Sequence, residues 1–159
     1  MKITILCVGK VKESFMREAV GEYRKRLSRY VKLDIVEVAD ERTPDHASEK
    51  EEAIIREKEG ERLFRKLKPD DVVIALAING MQHDSLSFAR MMDHFGVSGK
   101  GNVVFVIGGS LGLSDQLLKR ADKQLSFSKM TFPHQLMRVI LLEQIYRSYR
   151  IIHGEPYHK

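Results

Sequence analysis

The stretch Val103-Val104-Phe105-Val106-Ile107-Gly108-Gly109-Ser110-Leu111-Gly112-Leu113-Ser114 decides the fold. Its opening apolar run reads as a strand buried on both faces, a feature of parallel sheets. The glycines at 108, 109 and 112 let the backbone turn tightly and come close to a ligand. Ser114-Asp115 then opens a short helix to about Ala121. Strand, glycine-rich turn and helix form one step of an open α/β sheet, whose ligands sit beyond the carboxyl ends of the strands. The spacing is not Gly-x-Gly-x-x-Gly, and no Lys-Ser/Thr pair follows. Dinucleotide and Walker-type triphosphate sites are therefore disfavoured.

The same alternation runs through the rest of the chain. Ile3–Val8 is a short apolar strand ending at Gly9. Met16, Ala19, Val20, Tyr23, Leu27 and Tyr30 form a helical stripe. Val31–Val38 is β-branched and reads as a strand. Ser48 with Glu51 makes a capping box for a helix to about Leu67, whose sparse apolar residues predict exposure on most sides. Val72–Ile78 reads as a buried strand closed by a turn at Asn79-Gly80. Ser85 is expected to cap a helix to His94, with Gly96 as its stop. Leu125–Phe127 reads as a short strand. Pro133 opens a long helix from about His134 to Ile151, and His153–Lys159 is a polar tail. The pattern predicts an α/β fold, a mostly parallel sheet flanked by helices, in a single domain over residues 1–159.

Composition narrows the function classes. The 159 residues are 43% hydrophobic and 31% charged, an ordinary globular balance that excludes disorder and low-complexity scaffolds. Lys plus Arg number 27 against 22 acids, a net +5 that leans mildly toward polyanionic partners. Cys7 is the only cysteine, so no intrachain disulfide forms and a reducing compartment, the cytoplasm, is expected. No apolar run approaches the roughly 20 residues of a membrane helix. The histidines show no metal-ligand spacing, and no metal site is expected.

Three segments carry candidate chemistry besides the glycine turn. Leu76-Ala77-Ile78-Asn79-Gly80 ends a second buried strand and forms a cleft if it neighbours Gly108. Phe127-Ser128-Lys129-Met130-Thr131-Phe132-Pro133-His134 supplies backbone polar groups and apolar walls suited to an adenine. The last helix is apolar on several faces, which calls for deep burial or a second subunit; a homodimer is expected on that ground. Arg138 and Glu143 stand five apart on it, a poor spacing for a pair within the helix. Pro156-Tyr157-His158 offers a stacking ring and a group that titrates near neutrality.

Taken together, Gly108-Gly109-Ser110-Leu111-Gly112-Leu113-Ser114, Thr131-Phe132-Pro133-His134, Leu136, Arg138-Val139, Glu143-Gln144, Tyr146-Arg147 and the terminal Pro156-Tyr157-His158 resemble the RlmH family across the whole chain. Its members are large-subunit ribosomal RNA methyltransferases of the SPOUT superfamily. The resemblance implies a C-terminal deep trefoil knot, which departs from the usual rule against threaded chains. It also implies a homodimer whose site is completed across the interface. The implied reaction is methylation of N3 of a pseudouridine in 23S rRNA, on assembled ribosomes, with S-adenosylmethionine as cofactor. It places cofactor contacts on Leu76, Gly108, Phe127, Ser128, Lys129, Met130, Thr131 and Phe132. One position departs: Ala77 stands where the family often carries Asp. For the transfer, His158 is the expected base, Tyr157 stacks or orients the nucleobase, and Arg138 meets developing negative charge or phosphate. Two other readings remain open, a phosphate-dependent enzyme using the Gly108 turn and a non-catalytic ribosome-binding module.

Overall fold

The computed structural model describes residues 1–159. Five strands alternate with five helices: β1 (Lys2–Val8), α1 (Ser14–Leu27), β2 (Lys32–Val38), α2 (Glu49–Phe64), β3 (Val72–Gln82), α3 (Ser85–Val97), β4 (Asn102–Ile107), α4 (Asp115–Arg120), β5 (Lys123–Ser126) and α5 (His134–Ile152). The strands form one sheet in the order β2-β1-β4-β3-β5, and every pairing is parallel.

The two-residue period of the strands sorts the core into two layers. Ile3, Ile5, Cys7, Val103, Phe105 and Ile107 face one side, where Leu27 of α1, Phe88 and Met92 of α3 and Leu141, Leu142 and Ile145 of α5 cover them. Leu6, Val8, Val73, Val104 and Val106 face the other, under Leu63 of α2 and Leu117 of α4. Each fully buried Leu, Ile or Phe contributes about 1.5–3 kcal/mol. Burial also pushes the Cys7 thiol up to about 12, which leaves it neutral. No helix is long and apolar enough to cross a membrane.

Several local expectations meet the structure directly. Ser48 caps α2: its hydroxyl accepts from Glu51 N (3.2 Å) and donates to the Glu51 carboxylate (3.2 Å). Ser114 caps α4 by accepting from Leu117 N. Others shift by a residue or more. Asp84, not Ser85, caps α3, because its carboxylate reaches Ser87 N at 2.7 Å. Gly96 lies inside α3, and Gly99, at φ +68°, follows the helix end instead. Asn79-Gly80 is not a terminal turn. β3 runs on to Gln82, and Leu76 and Met81 both pair with Leu125, so residues 77–80 bulge out between them. Gly80 is required there: a Cβ would sit 2.7 Å from the Gln124 backbone.

The long last helix finds its partners inside the chain. α5 packs between α1 and α3 and has no exposed residue, so its apolar excess is taken up largely by the protomer itself. Tyr23, Tyr30, Tyr146, Tyr149 and Tyr157 gather along its α1 side.

Candidate functional site

The carboxyl ends of β3, β4 and β5 and the start of α5 enclose a cavity of about 680 Å³. Leu76, Gly108, Phe127, Ser128, Met130, Thr131 and Phe132 all line it, from three segments far apart in sequence. Lys129, also expected there, is exposed and does not line the wall. The glycine turn is folded tightly: a Cβ on Gly108 would lie 2.8 Å from the Gly112 carbonyl group. Gly112 takes φ +83°, which a side chain would resist. Gly109 and Gly112 face each other in a bridge across the turn, with Gly112 N donating to the Gly109 carbonyl at 3.1 Å, while the N–H groups of Ser110 and Leu111 make no backbone bond and are open to a ligand.

His134 also lines the cavity. Its Nδ1 is buried and has no hydrogen-bond partner within the chain, and such orphans call for a ligand or water. Burial and then the Arg138 charge hold its pKa below the usual imidazole value. The cue in the sequence is its place at the first position of α5, next to Pro133. No Asp, Glu, Lys or Arg lines the cavity, so it suits a ligand recognised by apolar contact and backbone hydrogen bonds rather than a pyrophosphate. An adenosyl group with a sulfonium and no phosphate fits those walls, the orphaned imidazole nitrogen included. On the far side of the turn, the buried Glu59 carboxylate accepts from Glu41 N (3.0 Å) and lies against Gly109.

A second cavity, about 490 Å³, adjoins the first. The two share Leu125, Ser126 and Phe127 as a common wall. His83, Asp84, Ser85, Gln144 and His158 line the second one together with Leu86 and Phe88, so the candidate base His158 lies next door to the expected cofactor contacts. The tail that carries it is held down by charge. Tyr157 Oη donates to Glu143 Oε1 (3.1 Å), and that same oxygen accepts from Arg147 Nη2 (2.6 Å). Arg147 also lies over the Tyr157 ring at 4.7 Å and donates to His158 Nδ1 at 3.2 Å. Arg150 bonds Glu155 and the Pro156 carbonyl. Burial, with the Glu143 charge behind it, pushes the Tyr157 phenol up to about 12.

Arg138 sits elsewhere than expected. It is 1% exposed, lines neither cavity, and commits its guanidinium to Glu37 Oε2 (2.6 Å) and the Val8 and Gly9 carbonyls (3.1 and 2.7 Å). The spacing argument against an Arg138–Glu143 pair holds, since Arg138 pairs with Glu37 and Glu143 with Arg147. The reason is geometric: the C-terminal end of β1 leaves carbonyls unpaired beside α5, and a fork of N–H donors satisfies them. Arg138 is thus a fastening between the helix and the sheet rather than a group facing a ligand.

The parallel α/β sheet thus carries an uncharged cavity beyond its strand ends and a second cavity with polar side chains beside it, the layout of a ligand-binding α/β protein. The family described as Predicted SPOUT methyltransferase matches residues 1–158. The chain belongs to that family. Among curated relatives, the Ribosomal RNA large subunit methyltransferase H of Clostridium beijerinckii is 60% identical over 159 residues, with both chains covered in full. The fold also resembles a solved probable methylase family protein from Haemophilus influenzae (TM-score 0.55, 13% identity, covering 99% of this chain and 70% of that one). A Legionella pneumophila methyltransferase solved in complex with the cofactor SAM has a TM-score of 0.51 at 12% identity, covering 94% of this chain and 66% of that one.

Proposed function

We propose that this chain transfers a methyl group from S-adenosylmethionine to N3 of a pseudouridine in 23S rRNA, on assembled ribosomes in the cytoplasm, as a homodimeric SPOUT enzyme. The observation that carries the reading is the pair of adjoining cavities, one uncharged with free backbone donors and one lined by His158. The name of the Clostridium relative supports the rRNA substrate, and the SAM complex of the Legionella protein supports the cofactor. The resemblance supports the C-terminal trefoil knot and the dimer. Exposed Ile78, Met81, Leu86 and Met130 leave apolar surface on and around the two cavities for a second copy to cover.

Bound S-adenosylmethionine supplies an electrophilic methyl group. The chain then has to position a ring nitrogen in line with it, and positioning is the largest available contribution. Backbone donors of the Gly108–Leu111 turn and His134 Nδ1 hold the cofactor's polar groups, while Leu76, Phe127, Met130 and Phe132 exclude water. Tyr157, a neutral phenol that lines neither cavity, orients the nucleobase indirectly by holding the His158-bearing tail on Glu143. His158 accepts the N3 proton at Nδ1 once that atom leaves Arg147, because arginine only donates and occupies this lone pair in the resting tail. Arg138 holds α5, and with it both cavities, against β1.

The experiment is transfer of labelled methyl from S-adenosylmethionine to ribosomes from a strain lacking this gene, followed by mapping of the modified nucleotide. Label on N3 of a large-subunit pseudouridine is expected. No label, with cofactor binding measured by calorimetry, assigns a different acceptor; no label and no cofactor binding leaves a ribosome-binding module.

A further inference from the structure

Four cations gather in a groove that the proposed reaction does not use. The groove, about 710 Å³, runs along the end of α1 and the first residues of β2. Arg24, Lys25, Arg29 and Lys32 line it, with the Ser28 hydroxyl among them and no carboxylate. The helical period puts 24, 25, 28 and 29 on one side of α1, and the reversal at Tyr30-Val31 brings Lys32 round to meet them. Other cations of α1 have partners: Arg17 donates to the Lys12 carbonyl and Arg26 to Glu22. Arg24, Lys25 and Lys32 are exposed and have no bonding partner in the chain, and Arg29 reaches Glu155 only at 3.6 Å. The neighbouring acids are already engaged, Asp34 with Lys2 at 2.8 Å and Glu155 with Arg150 and Tyr30. The negative end of the α1 dipole eases the crowding of like charges without bonding these side chains.

Such a groove offers what a phosphodiester backbone requires, several donors and uncancelled positive charge along a concave surface. It lacks what reading a base requires. Tyr30, its one ring, is stacked on Tyr149 at 5.7 Å and covered by Arg29 at 4.8 Å, and no amide side chain lines the groove. Of its apolar lining, Val31 is buried and Leu33 half-buried, which leaves little to insert into a lipid surface. The groove lies at the amino ends of β1 and β2, whereas the cofactor-side cavity opens beyond the carboxyl ends of β3, β4 and β5 in the same parallel sheet. Seven residues of strand separate the two ends of β1 by about 20 Å. We propose that this groove is an anchoring site for the phosphodiester backbone of RNA, separate from the two cavities and blind to sequence. The choice of RNA as the polyanion rests on the proposed methyl transfer to rRNA. The anchor holds a folded RNA at a second point, so it contributes to affinity and orientation rather than to the transfer step.

The test compares the full-length protein with the triple variant Arg24→Gln, Lys25→Gln, Lys32→Gln. A control triple, Lys50→Gln, Lys58→Gln, Lys119→Gln, removes the same charge from exposed lysines of α2 and α4. Filter binding to 23S rRNA and to ribosomes from the deletion strain is measured across a range of salt. The groove variant should bind about tenfold more weakly at ~0.1 M salt, and its log–log salt slope should fall by roughly 2–3, because each phosphate contact contributes about 0.7–0.9. KM for ribosomes should rise by a similar factor, with kcat, S-adenosylmethionine affinity and melting temperature unchanged. The control should bind within about twofold of wild type. An equal loss in both variants overturns the groove as a site and leaves net charge as the cause; an unchanged slope overturns it as well. Loss of binding to phosphatidylserine vesicles with RNA binding intact overturns the RNA anchor and assigns a membrane contact. If the wild type methylates no ribosome, the methyl-transfer reading fails, while filter binding still decides the groove.

Discussion

The loop Phe127–Pro133 and the tail Glu155–His158 are both free of helix and strand, and both adjoin the cavities, yet they are built in opposite ways. The loop has few internal bonds: Ser126 Oγ to the Ser128 carbonyl and Met130 N to Ser128 Oγ. Its backbone is left open, and its side chains mostly form apolar wall. The tail is fastened through side chains, with Glu143, Arg147 and Arg150 of α5 bonding Tyr157, His158, Glu155 and Pro156. A site made from backbone tolerates side-chain truncation and is sensitive to any Cβ that displaces the chain. A site made from ion pairs behaves the other way round.

That contrast can be broken or sharpened by a graded set of variants. The largest effect belongs to the fastening of α5, the helix that joins the two regions, to the sheet. Arg138→Ala leaves Glu37 and the Val8 and Gly9 carbonyls without their partner, and unfolding by denaturant should show a loss of about 3 kcal/mol. Next comes the backbone-built site. Gly108→Ala pushes a methyl into the Gly112 carbonyl, and overpacking of this kind costs about 2 kcal/mol. Calorimetry should record a cofactor affinity lower by roughly thirtyfold. Glu143→Gln weakens the tail clamp, so methyl transfer should fall by about tenfold with cofactor affinity unchanged. Lys129→Ala should change cofactor affinity less than about twofold, because only its backbone belongs to the site.

Alkaline titration probes the tail and the helix beneath it without mutation. Burial pushes both Tyr149 and Tyr157 up to about 12, against an ordinary value of 10.0. A raised folded-state value means that the protonated phenol is favoured by folding. The contribution is complete below the unfolded value and is lost as pH rises through about 12. Phenolate absorbance should show these two rings titrating last, with loss of the fold over the same range.

What was legible in the sequence follows from the range of the interactions. Strand and helix order came through because periodicity is local, and Ser48 and Ser114 announce their caps within three residues. Asp84 and Ser85 compete for one cap, and only the reach of the carboxylate to Ser87 N decides between them. The cofactor wall was reachable through the family resemblance, since Leu76, Gly108 and Phe127 lie on different strands that no short motif joins. The place of Arg138 is not written in its spacing, because its partners Glu37, Val8 and Gly9 lie about a hundred or more residues away. The orphaned His134 nitrogen depends on packing that spacing does not encode.

The order of the sheet has a consequence for how the chain is made. β1, which precedes β4 by about a hundred residues, lies between β2 and β4, and Ile5 is paired with Phe105. At roughly 5–20 residues per second, a ribosome takes several seconds or more to supply that partner. Until then one edge of an apolar strand is unsatisfied, and the nascent chain has no cavity to bind a cofactor. Folding of this protein is therefore late and cooperative, governed by contacts of long sequence separation that slow the search. Its birth on a translating ribosome is a period of exposure, during which slower elongation or chaperone binding sets the yield of active enzyme.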